Sequence, residues 1–118
     1  MASPQRISRV RGQMMRELSD IVRKMKDPRL DLVNILDVEL SRDLGYAKIF
    51  ISVIGDNPQE KEDALTGMCS GLGFVRREIA QRMSLRYAPQ FSVEYDDTAE
   101  RAARVATLIS SIGDDPDE

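Results

Sequence analysis

The sequence predicts a single α+β domain in which helices cover one face of a three-stranded sheet. In three long segments hydrophobic residues recur every three or four positions, which is typical of amphipathic helices. In three shorter segments hydrophobic and polar residues alternate, which is typical of half-buried strands. The order is helix, strand, strand, helix, strand, helix, and a chain of 118 residues can bury one hydrophobic core but not two.

The first helix is predicted to begin at Ser3 and Pro4, because serine caps helices and proline suits the first helical position. It should end near Lys26, since Pro28 disfavours helical geometry in the residue before it. Its apolar stripe consists of Ile7, Val10, Met14, Leu18, Ile21 and Met25.

A hairpin of two strands follows. In the first strand Leu36, Val38 and Leu40 alternate with acidic residues, and a turn spans residues 41–45. The inward-facing residues of the second strand are Ala47, Ile49, Ile51 and Val53. Its other face carries Tyr46, Lys48 and Phe50, which could stack on nucleic-acid bases or pack against neighbouring elements, and we favour packing.

The second long helix is predicted to begin at the N-cap Asn57 and to end near Arg86, with an interruption at Gly71 to Gly73. On an uninterrupted helix Phe74 would point away from the apolar stripe. We therefore expect a break at the two glycines to change the helical phase and to bury Phe74. Cys69 lies on the flank of the stripe, and we interpret it as a small buried hydrophobic residue.

A third strand is predicted from the alternation of Phe91, Val93 and Tyr95, and a final helix follows a capping box formed by Asp97 and Glu100. The apolar stripe of that helix is Ala102, Val105, Leu108, Ile109 and Ile112. Residues 114–118 contain four acidic residues and a proline, a composition typical of a disordered tail. We therefore expect a domain at 1–113 and an acidic tail at 114–118.

The composition excludes several classes of function. The chain has no histidine and one cysteine, so histidine-dependent catalysis is excluded and a zinc site is disfavoured. It has no phosphate-binding loop of the kind found in nucleotide enzymes, and no segment resembling a membrane span or a signal peptide. We therefore expect a cytoplasmic protein without catalytic residues, cofactors or metal ligands.

Charge is distributed unevenly along the chain. The formal net charge is −3, yet residues 1–30 hold eight basic and three acidic residues. Arg9, Arg16 and Arg23 are seven positions apart and lie opposite the apolar stripe of the first helix. A second basic group follows the glycines: Arg76, Arg77, Arg82 and Arg86. Such rows can bind phosphates, and the alternative is that they are solvated helix faces.

Short motifs follow one another in a fixed order along the chain. They are Arg-Ile-Ser-Arg-Val at 6–10, Asp-Pro-Arg-Leu at 27–30, Ser-Arg-Asp-Leu at 41–44, Ala-Lys-Ile-Phe-Ile-Ser at 47–52, Gly-Phe-Val-Arg-Arg-Glu-Ile-Ala at 73–80, Arg-Tyr-Ala-Pro at 86–89, and the strand 91–96. In this order and spacing the chain resembles the ribosome-binding factor A family of bacterial small-subunit assembly factors, up to about Ile112.

The resemblance implies a KH-like domain of type II, in the order helix, strand, strand, kinked helix, strand, with an extra C-terminal helix. KH domains usually clamp nucleic acid with a GXXG loop, which this chain lacks. The family has an Ala-x-Gly kink between helices in its place. Gly71, Leu72 and Gly73 occupy that position, with glycine where the family has alanine.

The resemblance also implies a function without catalysis. A member of this family binds the free small (30S) ribosomal subunit, assists its late assembly and the processing of the 16S rRNA 5′ end, and matters most in the cold. The alternative is a KH-like protein-interaction adaptor whose basic helices bind an acidic protein.

The residues expected to contact 16S rRNA are all arginines: Arg6, Arg9, Arg16, Arg23, Arg76, Arg77, Arg82 and Arg86. We expect recognition of RNA shape and backbone rather than of bases, because few aromatic residues are free to stack. The expected partners are the small subunit and its 16S rRNA, with no membrane and no small-molecule substrate, and the protein is expected to be a monomer.

Overall fold

The structure, a computed structural model, describes residues 3–55 and 57–96. The predicted final helix, its capping residues Asp97 and Glu100, and the acidic tail lie outside the described residues. The elements in chain order are α1 (Pro4–Lys24), a short 3-10 helix (Pro28–Leu30), β1 (Val33–Leu40), β2 (Tyr46–Val53), α2 (Pro58–Met83) and β3 (Gln90–Tyr95).

The three strands form one sheet in the order β1-β2-β3. β1 and β2 form the predicted antiparallel hairpin, whereas β3 runs parallel to β2. A parallel neighbour requires a crossover connection, and α2 supplies it. α1 packs against β1, α2 packs against β2 and β3, and the two helices contact each other. The predicted α+β architecture is therefore confirmed.

The hydrophobic core lies between the helices and the sheet. All four predicted inward residues of β2 are buried, as are apolar stripe residues of both helices. The buried residues are Met14, Leu18, Ile21 and Val22 of α1, Ala64, Met68, Val75 and Ile79 of α2, Leu30, and Val38, Ala47, Ile49, Ile51 and Val53 of the sheet. Among the described residues no polar or charged side chain is buried, so the core is held by apolar contacts.

Both helices begin at the predicted caps. The Ser3 hydroxyl accepts a hydrogen bond from the Arg6 N–H at 3.2 Å, and the Asn57 side chain accepts one from the Gln59 N–H at 2.9 Å. Both helices end slightly earlier than expected. α2 stops at Met83 because the next residue takes a left-handed conformation, with φ of 50°.

The predicted interruption of α2 is wrong. The helix is continuous through Gly71 and Gly73, so nothing changes its phase at that point. Phe74 consequently stays on the outer side and is 43% exposed rather than buried. Cys69 is also exposed, contrary to expectation. The bend that the resemblance implies at the glycines stays a prediction.

β1 also departs from simple alternation. Its register against β2 shifts between Ile35 and Asp37, which is typical of a β-bulge. The extra residue, Leu36, was expected to face the core and is instead 40% exposed. The alternating pattern predicted the strand but not this shift, because a bulge depends on how the partner strand pairs.

Candidate nucleic-acid interface

The back of α1 carries a row of three exposed arginines, Arg9, Arg16 and Arg23. A spacing of seven residues is close to two helical turns, so the three side chains lie in line, about 10 Å apart along the axis. The opposite side of the helix is buried in the core. Within residues 3–55 and 57–96 none of the three forms an ion pair. Their guanidinium groups are therefore available to a ligand.

Arg82, predicted to bind RNA, has a different environment. Its Nη1 atom lies 2.7 Å from Asp20 Oδ2 and 3.4 Å from Glu17 Oε2, and its Nη2 atom lies 3.4 Å from Glu78 Oε1. The hydrogen bond to Asp20 is the main cause that raises the pKa of Arg82 and lowers the pKa of Asp20. Arg82 thus joins α2 to α1, and its charge is compensated by three carboxylates.

Arg76 and Arg77 are both exposed, but they do not form one site. Neighbouring residues on an α-helix point about 100° apart. The Arg76 Nη2 atom donates a hydrogen bond to the Ala88 carbonyl at 3.3 Å, so this side chain reaches toward the segment before β3. For Arg77, no ion pair is present in the described part of the chain.

Arg6 and Arg86 line the same groove, which has a volume of about 280 Å³. It lies where the start of α1, the β1–β2 turn and the loop after α2 meet. Tyr87 belongs to its lining and is 76% exposed. The Arg86 guanidinium carbon lies 5.5 Å from the centroid of the Tyr87 ring. Sequence reasoning missed Tyr87, although the Arg-Tyr-Ala-Pro motif contains it.

Hydrogen bonds hold the β1–β2 turn in shape. Asp43 Oδ1 accepts hydrogen bonds from the Gly45 N–H at 2.9 Å and from the Ser41 hydroxyl at 2.7 Å, and these bonds lower the pKa of Asp43. Leu44 takes a left-handed conformation with φ of 60°. The Gly45 carbonyl accepts a hydrogen bond from the Gln90 N–H at 2.9 Å, so the turn is tied to β3.

The outer face of β2 shows contacts across the strands. Lys48 Nζ lies 3.7 Å from Glu94 Oε2 and 5.9 Å from the centroid of the Phe50 ring, while Tyr46 is 62% exposed. Among the described residues, no group of acidic or cysteine side chains is placed to hold a metal ion. In the same part of the chain, no helix has the length and hydrophobicity to span a membrane.

Comparisons with known proteins match most of this chain to one family. The family model of ribosome-binding factor A matches residues 6–109. A ribosome-binding factor A of Acetivibrio thermocellus is 44% identical over 108 residues, which are 90% of this chain and 87% of the relative.

Solved structures show the same fold. The crystal structure of ribosome-binding factor A from Thermus thermophilus aligns with a TM-score of 0.67 at 22% identity, over 75% of this chain and 93% of the other. The solution structure of a Thermotoga maritima protein, a candidate ribosome-binding factor A, aligns with a TM-score of 0.66 at 29% identity, over 74% of this chain and 83% of the other. A homology model of the Thermus thermophilus factor, fitted into a cryo-EM map of its complex with the 30S subunit, aligns with a TM-score of 0.61 at 21% identity. The alignment covers 73% of this chain and 90% of the other. The shared architecture is the KH-like α+β domain that the sequence predicts.

Proposed function

This chain belongs to the ribosome-binding factor A family, and from that membership we propose that it binds the small ribosomal subunit through 16S rRNA and assists late maturation, including the rRNA 5′ end. A relative is fitted into the map of a 30S complex, which supports the choice of partner. The observation that carries the RNA contact is the row of Arg9, Arg16 and Arg23 on α1, exposed and without ion pairs among the described residues.

The position of this row suits binding to an RNA backbone. One side of α1 is committed to the core, so only its back is free to meet a ligand. Each arginine that neutralises a phosphate releases condensed counterions, which favours binding without reading the base sequence.

Arg82 contributes to the same surface indirectly. Glu17 and Asp20 lie on α1 beside the arginine row, and without a partner their charges would repel phosphates. Arg82 binds both carboxylates. We therefore treat Arg82 as a residue that positions α2 against α1 and neutralises Glu17 and Asp20. The residues that we place at the RNA contact are Arg6, Arg9, Arg16, Arg23, Arg77 and Arg86, with Arg76 beside them.

The proposed role is binding without catalysis. The family is one of ribosome-binding factors and not a known enzyme family. We propose that the protein acts in the cytoplasm as a monomer, and that its contribution is greatest in the cold, when RNA folds slowly.

The experiment compares two double variants that each remove two positive charges. Arg9→Gln with Arg16→Gln removes them from α1, whereas the control, Arg42→Gln with Lys48→Gln, removes them from the β1–β2 turn and the outer sheet face. Small-subunit binding is measured by co-sedimentation between about 50 and 200 mM salt. We expect the α1 variant to bind more weakly and to lose about one unit of salt slope per arginine.

The same variants are introduced into cells that lack the protein, and 16S rRNA 5′ ends are mapped by primer extension. Cells that carry the α1 variant should accumulate 16S rRNA with unprocessed 5′ ends, whereas cells that carry the control variant should process these ends. If the α1 variant binds small subunits as tightly as the unmodified protein, and if this binding does not change with salt, the phosphate contact is contradicted. If the protein still binds an acidic ribosomal protein when rRNA is absent, this result would favour the alternative of a protein-interaction adaptor.

A further inference from the structure

The loop between α2 and β3 is held at both ends and exposed in the middle. Leu85 packs against the core, Pro89 is fully buried, and the Ala88 carbonyl is bound by an arginine of α2. Between these anchors Arg86 and Tyr87 face solvent. The loop therefore presents two side chains on a fixed backbone, which lowers the entropic cost of binding a ligand there.

Tyr87 is placed to stack. Its residue is 76% exposed, whereas Tyr95 uses its hydroxyl to accept a hydrogen bond from the Val53 N–H at 3.4 Å. The Arg86 guanidinium lies over the Tyr87 ring at 5.5 Å from its centroid, and the high exposure leaves the rest of the ring accessible. Single exposed aromatic residues are common on proteins, so the ring needs the groove beside it to define a site.

The groove combines an apolar wall with a positive rim. Side chains of α1 and β1 form its apolar lining, and Arg6, Arg86 and Asp43 contribute charge. The Asp43 carboxylate is hydrogen-bonded within its own turn. The volume of about 280 Å³ is slightly below the usual range of small-molecule sites, so the groove suits one flat ring rather than an extended ligand.

We propose that this groove binds one unpaired ribonucleotide, with the Tyr87 ring stacking on the base and with Arg6 and Arg86 binding the adjacent phosphates. The proposal rests on the proposed function, because it names the part of the rRNA that this site takes. A base-paired duplex cannot bind in this way, because its bases remain stacked on each other and cannot stack on the Tyr87 ring. Arg6 precedes Arg9 by three residues on α1, so the groove continues the arginine row.

Tryptophan fluorescence tests the stacking directly. The chain has no tryptophan, so Tyr87→Trp introduces the sole indole and Phe74→Trp is a matched control on another exposed aromatic residue. Each variant is titrated with a single-stranded hexaribonucleotide and with a blunt-ended RNA duplex that has no unpaired nucleotide. We expect saturable quenching for Tyr87→Trp with the single strand only. No quenching, equal quenching by the duplex, or equal quenching in Phe74→Trp would overturn the proposal.

A second series removes parts of the site. Tyr87→Phe keeps the ring and should bind the hexaribonucleotide like the unmodified protein, whereas Tyr87→Leu should lose about five- to 150-fold in affinity. Thermal melting of both variants should be unchanged, because the side chain is exposed. Equal binding by both variants would overturn the proposal. In the Tyr87→Trp background, Arg6→Gln with Arg86→Gln should weaken the quenching titration, and an unchanged titration would contradict the phosphate contacts.

The two proposals fail separately. If Tyr87→Trp is quenched by the single strand while the protein does not bind small subunits, the nucleotide site stands and the proposed function is wrong. If small-subunit binding keeps its salt dependence while Tyr87→Trp shows no quenching, the proposed function stands and the nucleotide site is wrong.

Discussion

Arg82 and Arg16 carry the same charge in different surroundings. The Arg82 side chain is 25% exposed and contacts carboxylates on α1 and on its own helix. Arg16 is exposed on the back of α1, with no ion pair among the described contacts. A partly dehydrated network stabilises the fold only while it is complete, because removing its cation leaves the acidic groups to repel each other. We therefore assign stability to Arg82 and ligand binding to Arg16.

Arg82→Gln should lower the thermal midpoint, because Glu17, Asp20 and Glu78 then lose the guanidinium that joins them. The control is Lys24→Gln. Lys24 Nζ lies 3.1 Å from the same Asp20, but its side chain is 69% exposed, and such surface pairs contribute little. Thermal and urea unfolding measure both variants. Equal destabilisation by the two substitutions would contradict the role assigned to Arg82.

The three glycines within α2 differ in what surrounds them. A Cβ atom on Gly67 would lie 3.1 Å from Leu30 Cδ2 and from Arg29 Cβ, closer than ordinary contact, so the 3-10 helix would have to shift by a few tenths of an ångström. A Cβ on Gly71 would meet the flexible end of the Met25 side chain. On Gly73 it would find only ordinary contact, with Arg77 Nη1 at 3.8 Å. The glycine that packs closely against the 3-10 helix is therefore not one of the two that stand out in the sequence.

Gly73→Ala should raise the free energy of unfolding by up to about 1 kcal/mol, because alanine favours a helix interior and has space here. Gly67→Ala should be destabilising, since the 3-10 helix would have to move. Urea unfolding measures both. A loss of stability in Gly73→Ala would show that the backbone there is not an ordinary helix. Measuring how tightly Gly73→Ala binds the small subunit would test the bend that the family resemblance implies at this glycine.

Three carboxylates on different elements of the described structure have lowered pKa values. Hydrogen bonds from Arg82 lower the pKa of Asp20, hydrogen bonds from Arg29 lower the pKa of Asp27, and the β1–β2 turn lowers the pKa of Asp43. The chain has no histidine, so no side chain has an ordinary pKa between about 5 and 8.

We expect stability to be flat between about pH 8 and pH 5 and to fall below about pH 4. A carboxyl whose folded pKa lies below its unfolded value stabilises the protein above the unfolded value, which is 3.8 here. That stabilisation is lost as the pH falls through the lower folded pKa. Urea midpoints at several pH values measure the effect.

Asp20→Asn should reduce the loss of stability on acidification, because this carboxyl can no longer take up a proton. Asp31→Asn, at an exposed position without an ion pair among the described contacts, is the matched control. A marked fall in stability between pH 8 and pH 5 would mean that other groups control the pH dependence.

The sequence alone determined the family and the long helices and strands of the described residues. Helix caps such as Ser3 and Asn57 act on N–H groups within a few positions, and the alternation in β2 is a property of neighbouring residues. These signals are local, so they can be read without a structure. The order of short motifs was sufficient for the family, which the comparisons confirm.

Only the tertiary structure determined which side chains are free. Arg82 meets Asp20 across 62 positions of sequence, and no local pattern shows that pairing. The same is true of the parallel pairing of β3, the bulge at Leu36 and the groove beside Tyr87. Each depends on segments distant in the chain that pack or pair together, and these contacts distinguish a partly buried ion pair from a charge available to RNA.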